Sequence, residues 1–130
     1  VIVLDASAAL EVLLRTTAAA DVEERLFRRG ETLHAPHLID VEVAQVLRRY
    51  VTAGQIVPER GHAAIDDLVD FPLVRYPHGF LLPRVWDLRE NLSAYDAIYV
   101  ALAEVLDARL LTRDERLAAA PGHRARVELV

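Results

Sequence analysis

The stretch Val1-Ile2-Val3-Leu4-Asp5-Ala6-Ser7-Ala8 governs the reading of the whole chain: an apolar run rich in β-branched residues passes directly into an acid, a hydroxyl and helix-forming alanines. Val1 to Leu4 is expected to be a short strand and Ala6 to Leu14 a helix, with Asp5 or Ser7 available as its cap. The same strand-then-helix order recurs outward from this point. Thr16 or Thr17 opens a second helix through Arg29, closed by Gly30, with Ala18, Val22, Leu26 and Phe27 on one stripe. Thr32 to Ala35 forms the next strand, and Pro36 precedes a long helix from Leu38 to Thr52 that stops at Ala53-Gly54. Pro58 starts another helix, running to about Val69.

Leu73 to Tyr76, between two prolines, reads as a third strand. A helix from Gly79 to about Asn91 follows, in which Pro83 must lie near the first turn. Ser93 caps a nearly all-apolar helix from Ala94 to Leu106. Arg109 to Thr112 is a fourth strand, Asp114 to Ala120 a short helix, and Val127 to Val130 a final strand. Such alternation predicts an α/β fold, a mainly parallel central sheet flanked by helices on both faces and joined by right-handed crossovers.

At 130 residues, 53% of them hydrophobic, the chain suits one domain over residues 1–130 with one packed core. It contains no cysteine, which excludes disulfides and thiolate metal sites and points to the cytoplasm. Val1 to Leu14 is apolar, but it lacks a basic leading segment and carries Asp5 and Glu11, so it is expected to be folded structure rather than a signal peptide. Ala94 to Leu106 is interrupted by Asp96 and Glu104 and falls short of the roughly 20 residues that span a bilayer, so no membrane role is expected.

The net charge of −5 argues at first against a polyanionic partner. Two divalent cations bound by four of the acids would bring it to roughly −1. All fifteen basic residues other than histidine are arginine.

In open parallel sheets ligands gather beyond the carboxyl ends of strands, and two acids stand there: Asp5 after the first strand and Asp114 after the fourth, accompanied by Ser7 and Thr112. Each has an ordinary alternative as a helix cap, and Thr112 with Glu115 matches a capping box. Glu42 sits among Leu38, Ile39, Val41, Val43, Val46 and Leu47, where a bare carboxylate must be protonated, paired or bound to a cation. Arg49 and Arg48 are its local basic candidates, and solvent exposure is the other alternative. Asp96 completes the pattern Ser93-Ala-Tyr-Asp96, itself a capping box, at the start of the helix expected to be most central.

Together the four outrank their separate explanations. Converging carboxylates repel, and a divalent cation relieves the repulsion. Oxygen donors without cysteine or histidine favour Mg²⁺ or Mn²⁺, one or two ions, and suit phosphoryl chemistry. Arg15, Arg49, Arg113 and Arg116 flank the acids in sequence and are candidates for phosphate contact with a nucleic-acid partner, with ordinary solvated arginine as the alternative. Arg48 and Arg84 share that alternative.

These segments resemble a known family, the PIN-domain ribonucleases, and within it the VapC-type toxins of bacterial toxin-antitoxin pairs. The resemblance rests on Val-Ile-Val-Leu-Asp5-Ala-Ser7, Ala35-Pro-His-Leu-Ile-Asp-Val-Glu42-Val-Ala, Asn91-Leu-Ser-Ala-Tyr-Asp96-Ala-Ile-Tyr-Val-Ala-Leu-Ala and Leu111-Thr112-Arg-Asp114-Glu-Arg-Leu, in that order along nearly the whole chain. It implies a PIN fold and Mg²⁺- or Mn²⁺-dependent endoribonuclease activity with Asp5, Glu42, Asp96 and Asp114 as metal-binding acids. It further implies a homodimer and an antitoxin of the VapB type whose C-terminal segment blocks the active site. A degenerate module that binds RNA or a protein partner without cutting is the competing reading. Phosphatases of the haloacid-dehalogenase type and phosphoacceptor receiver domains both need a lysine that this chain lacks. His34 and His37 form an H-x-x-H pair with no third histidine near, and read as ordinary surface or core residues. The stripe Phe80, Leu81, Leu82, Val85, Trp86 and Leu88 reads as core packing, with a dimer face as the alternative.

Overall fold

The computed structural model describes residues 1–130. Five strands, β1 (Ile2–Leu4), β2 (Leu33–Pro36), β3 (Leu73–Tyr76), β4 (Arg109–Thr112) and β5 (Arg126–Leu129), form one sheet in the order β3-β2-β1-β4-β5. Every pairing is parallel. β1 lies at the centre and is buried throughout, as a strand covered on both faces must be.

The helices are α1 (Ala6–Leu13), α2 (Ala19–Leu26), α3 (Leu38–Thr52), α4 (Pro58–Asp70), α5 (Leu82–Asp87), α6 (Ala94–Leu106) and α7 (Glu115–Ala119). The chain first steps from β1 through β2 to β3, then returns past β1 to β4 and β5. Crossovers of one hand that move in opposite directions put their helices on opposite faces. Accordingly α1 packs with α2 and α3, and α3 with α4, while α6 lies across β1, β2 and β4 with α5 against it. The reversal leaves a switch point between β1 and β4, where the connections from their carboxyl ends diverge. One hydrophobic cluster extends from Ile2 to Leu117. No helix is long and apolar enough to cross a membrane.

The helix expected to be central is so: Ala97 to Ala103 are all buried. Four expectations need correction. α2 spans Ala19–Leu26 rather than Thr16 to Arg29, because Arg15 closes α1 in the left-handed region (φ 53°) and the Thr16 hydroxyl turns to the Glu11 carboxylate instead of capping a helix. Phe27 falls off its apolar stripe, half exposed, with its ring 6.0 Å from that of Phe71. The helix expected from Gly79 to Asn91 divides into a 3₁₀ turn, Gly79–Leu81, and the six-residue α5, since Pro83 lacks the N–H that an α-helical interior needs and confines the α-helix to a start at Leu82. Its stripe divides likewise: Leu81, Val85 and Leu88 are core, whereas Phe80, Leu82 and Trp86 face solvent.

Candidate active site

Asp5 ends β1 and caps α1, accepting from the Ala8 N–H at 3.1 Å, from Ser7 Oγ at 2.6 Å and from the Thr112 hydroxyl. Burial pushes its carboxyl above the usual carboxylate range, and these donors offset only part of the effect. Asp5, not Ser7, is therefore the cap. Ser7 is a bridge: its hydroxyl donates to Asp5 and accepts from the Arg113 N–H at 2.9 Å, joining the end of β1 to the end of β4.

Thr112, wholly buried at the last position of β4, donates to Asp5 and accepts from the Asp114 N–H at 2.9 Å. The capping box expected of Thr112 and Glu115 does not form. Asp114 caps α7 instead, accepting from the Arg116 N–H at 2.9 Å and the Leu117 N–H at 3.4 Å. The Thr112 hydroxyl is occupied by the sheet edge and cannot also reach α7.

Asp96 stands in the first turn of α6, where its N–H donates to Ser93 Oγ at 3.2 Å. Its carboxyl is raised by burial, then by the negative charges of Asp114 and Asp5, with Arg116 and Ser93 opposing. Glu42, in the second turn of α3, is half-buried and accepts from the Tyr99 hydroxyl at 2.5 Å. It is raised by burial first and then by Asp5 and Asp96, with the Tyr99 hydrogen bond opposing. No arginine reaches it. Its partner is a tyrosine of α6, so the layers on the two faces of the sheet meet through this contact.

Tyr99 is not among the site residues expected from the sequence. A signal was present: Tyr99, in the midst of the apolar residues that follow Asp96, falls three residues after it, on the same helical face. Burial, followed by the neighbouring Glu42 charge, holds its hydroxyl far above the ordinary tyrosine range, so it stays a donor.

A cleft of about 610 Å³ at the switch point is lined by all four acids together with Ser7 and Tyr99. Of the four candidate arginines, Arg49 and Arg113 line it. Arg113 is tied to Glu11 at 3.6 Å and donates to the Val130 carbonyl, while Arg116 reaches the site only through its charge on Asp96. Arg15 does not belong there, because it follows the carboxyl end of α1, about 15 Å of helix rise from Asp5 at the amino end. Arg84 is held by Glu104 at 3.0 and 3.1 Å. His34 is buried between the hydroxyls of Thr32 and Tyr76, both at 2.7 Å, and the His37 ring packs edge-on against His78.

The carboxylates surround the cleft without closing into a preformed cage. The donor set nonetheless fits a hard divalent cation: it is all oxygen, three of its members are destabilised as anions, and Arg113, which lines the cleft, is paired with Glu11.

A family model described as PIN domain matches residues 2–122. Ribonuclease VapC1 of Mycobacterium tuberculosis is 45% identical over 129 residues, spanning 98% of this chain and 96% of that protein. Ribonuclease VapC12 of the same organism is 44% identical over 129 residues, spanning 99% and 98%. Among solved structures the fold is similar to PAE2754 from Pyrobaculum aerophilum, with a TM-score of 0.74 at 20% identity over 97% of this chain and 81% of that one. It is also similar to VapC20 of Mycobacterium tuberculosis, with a TM-score of 0.68 at 15% identity over 92% and 94%. Matched along nearly its whole length by family model and relatives alike, the chain belongs to the PIN-domain family and, within it, to the VapC ribonucleases.

Proposed function

We propose that this chain, as a single domain over residues 1–130, is a Mg²⁺- or Mn²⁺-dependent endoribonuclease and the toxin of a toxin-antitoxin pair. One observation carries the reading: acids from four separate elements line a single cleft at the switch point, with three carboxyls raised by burial and like charge. Near-full-length relatives named ribonucleases support RNA as the substrate. The cytoplasm, where that RNA lies, suits a chain without cysteine.

Asp5, Glu42, Asp96 and Asp114 would hold one or two divalent ions, which would supply charge neutralisation and an activated water for attack on a phosphodiester. The protein contributes rigidity. Ser7 and Thr112 fix the Asp5 carboxylate, Tyr99 fixes Glu42, and Ser93 fixes the backbone from which Asp96 projects. Arg49 and Arg113 bring positive charge to the cleft for phosphate. The antitoxin, an assignment resting on the family resemblance, blocks this cleft. The exposed Phe80, Leu82 and Trp86 offer an apolar face for a homodimer.

The test is cleavage of total RNA with Mg²⁺ or Mn²⁺, with and without EDTA, by wild type, Asp5→Asn and Asp96→Asn. Loss of cutting in both variants and in EDTA is the expected result. Equal cutting by all three proteins refutes the site. Binding of RNA without any cutting by wild type replaces the enzyme with a degenerate binding module.

A further inference from the structure

Three of the four acids stand at helix amino ends that supply their own side-chain cap: Asp5 caps α1, Asp114 caps α7, and Ser93 caps α6 ahead of Asp96. The helix that carries Glu42 is the exception. The cap position of α3 is His37, and its ring makes no hydrogen bond to the helix. The missing acceptor comes from 40 residues further along the chain. His78, in the turn between β3 and the 3₁₀ helix, accepts from the Leu38 N–H through Nε2 at 2.9 Å. An accepting Nε2 leaves the ring proton on Nδ1, so the cap is a neutral imidazole. The His37 ring stands edge-on to it, with centroids 6.5 Å apart.

β3 braces the same turn twice more. The His37 N–H donates to the Tyr76 carbonyl at 2.8 Å, and Arg75 Nε donates to Asp40 Oδ2 at 2.9 Å. Only the His78 contact falls on the face that carries the acid. Leu38 and Glu42 are four residues apart, so they stack on one side of α3, and both line the cleft.

We propose that His78 is a positioning residue for Glu42, capping α3 from outside the helix and so holding this acid toward Asp5 and Asp96. This rests on the metal-dependent reading above and adds to it a residue that serves the site without lining the cleft. Tyr99 holds the carboxylate end of Glu42, and His78 holds the turn of backbone that leads to it. A first turn whose N–H groups lack acceptors frays more readily, and Glu42 begins the second turn.

The test is Mn²⁺ binding by titration calorimetry to the full chain after EDTA treatment, for His78→Ala, His78→Phe and His78→Gln. Circular dichroism first verifies that each is folded. His78→Ala is expected to weaken Mn²⁺ binding about 5-fold, the factor that a typical helix cap amounts to. His78→Phe keeps a ring without an acceptor and weakens binding likewise, so it decides the matter should the Ala variant not fold. His78→Gln places an amide oxygen near the Nε2 position and restores wild-type affinity. In a Glu42→Gln background the His78 substitutions should have no further effect, because the two residues act through one path. Unchanged affinity in Ala and Phe, failure of Gln to restore it, or an equal loss in the Glu42→Gln background overturns the proposal alone. A wild type that binds no Mn²⁺ overturns the metal-dependent reading together with it.

Discussion

At the scale of single residues, the site is built from groups that each serve the fold and the cleft together. Asp5 caps α1 yet presents a carboxylate at the sheet edge, and Asp114 caps α7 while standing across from Asp96. Capping uses the attraction of a helix amino end for negative charge, and it places the acids by the same geometry. The cost falls on stability. Asp96 has a carboxyl raised above 3.8 in the folded protein, so the folded state holds its proton more tightly than the unfolded chain does. Well above the folded value both states are ionised, and the burial of the carboxylate, with the like charges of Asp114 and Asp5, destabilises the fold. As pH falls through the folded value stability recovers, and the recovery is complete below the unfolded value of 3.8. Asp96→Asn is therefore expected to melt at a higher temperature than wild type at pH 7 in EDTA. The advantage should shrink as the pH is lowered toward 3.8. Melting curves across that range check both the sign and the window; a variant less stable than wild type at pH 7 contradicts the cost assigned to burying this carboxylate beside Asp114 and Asp5.

At the scale of elements, α6 is the decisive piece. Its middle, Ala97 to Ala103, is buried on every side, which fixes the helix against the sheet and fixes the position of its first turn. Ser93 anchors that turn through the Asp96 N–H. Ser93→Ala is expected to cost about 1 kcal/mol of stability, measured by urea unfolding. It should also loosen Asp96, so Mn²⁺ binds more weakly than to wild type; an unchanged metal affinity would show that packing of α6 alone positions the acid. The strand ends behave differently. β1 and β4 are joined beyond their last residues by the Ser7 bridge and the Thr112 hydroxyl, so two strands act as one rigid mount for Asp5 and Asp114. α5 is short and leaves Trp86 exposed, with Arg89 stacked 4.7 Å from the ring centroid.

At the scale of the whole molecule, a chain of net charge −5 gathers four acids around one cleft, and three of their carboxyls are raised by burial or like charge. An ion that binds only the folded state stabilises by mass action, about 2.7 kcal/mol at a hundredfold excess over the dissociation constant. Mn²⁺ is thus expected to raise the melting temperature of wild type by several degrees and to leave Asp5→Asn nearly unmoved; equal shifts in both would place the ion elsewhere. The sequence by itself determined the alternation of strands and helices, most element boundaries to within a residue, and the four acids, because local periodicity and capping chemistry are written in neighbouring residues. α3, β3, α6 and β4 lie where the pattern predicted. The two helices that differed, α2 and α5, are those in which a side-chain hydrogen bond or a proline altered the local geometry. What only the tertiary structure decided are relations between distant residues: Tyr99 donating to Glu42, Ser7 bridging to Arg113, and Arg49 and Arg113 reaching the cleft while Arg15 does not. The physical reason is that these depend on the reversal of the chain at β1 and β4, which brings residues 57 and 106 positions apart into contact, and no local pattern encodes which side chains then meet.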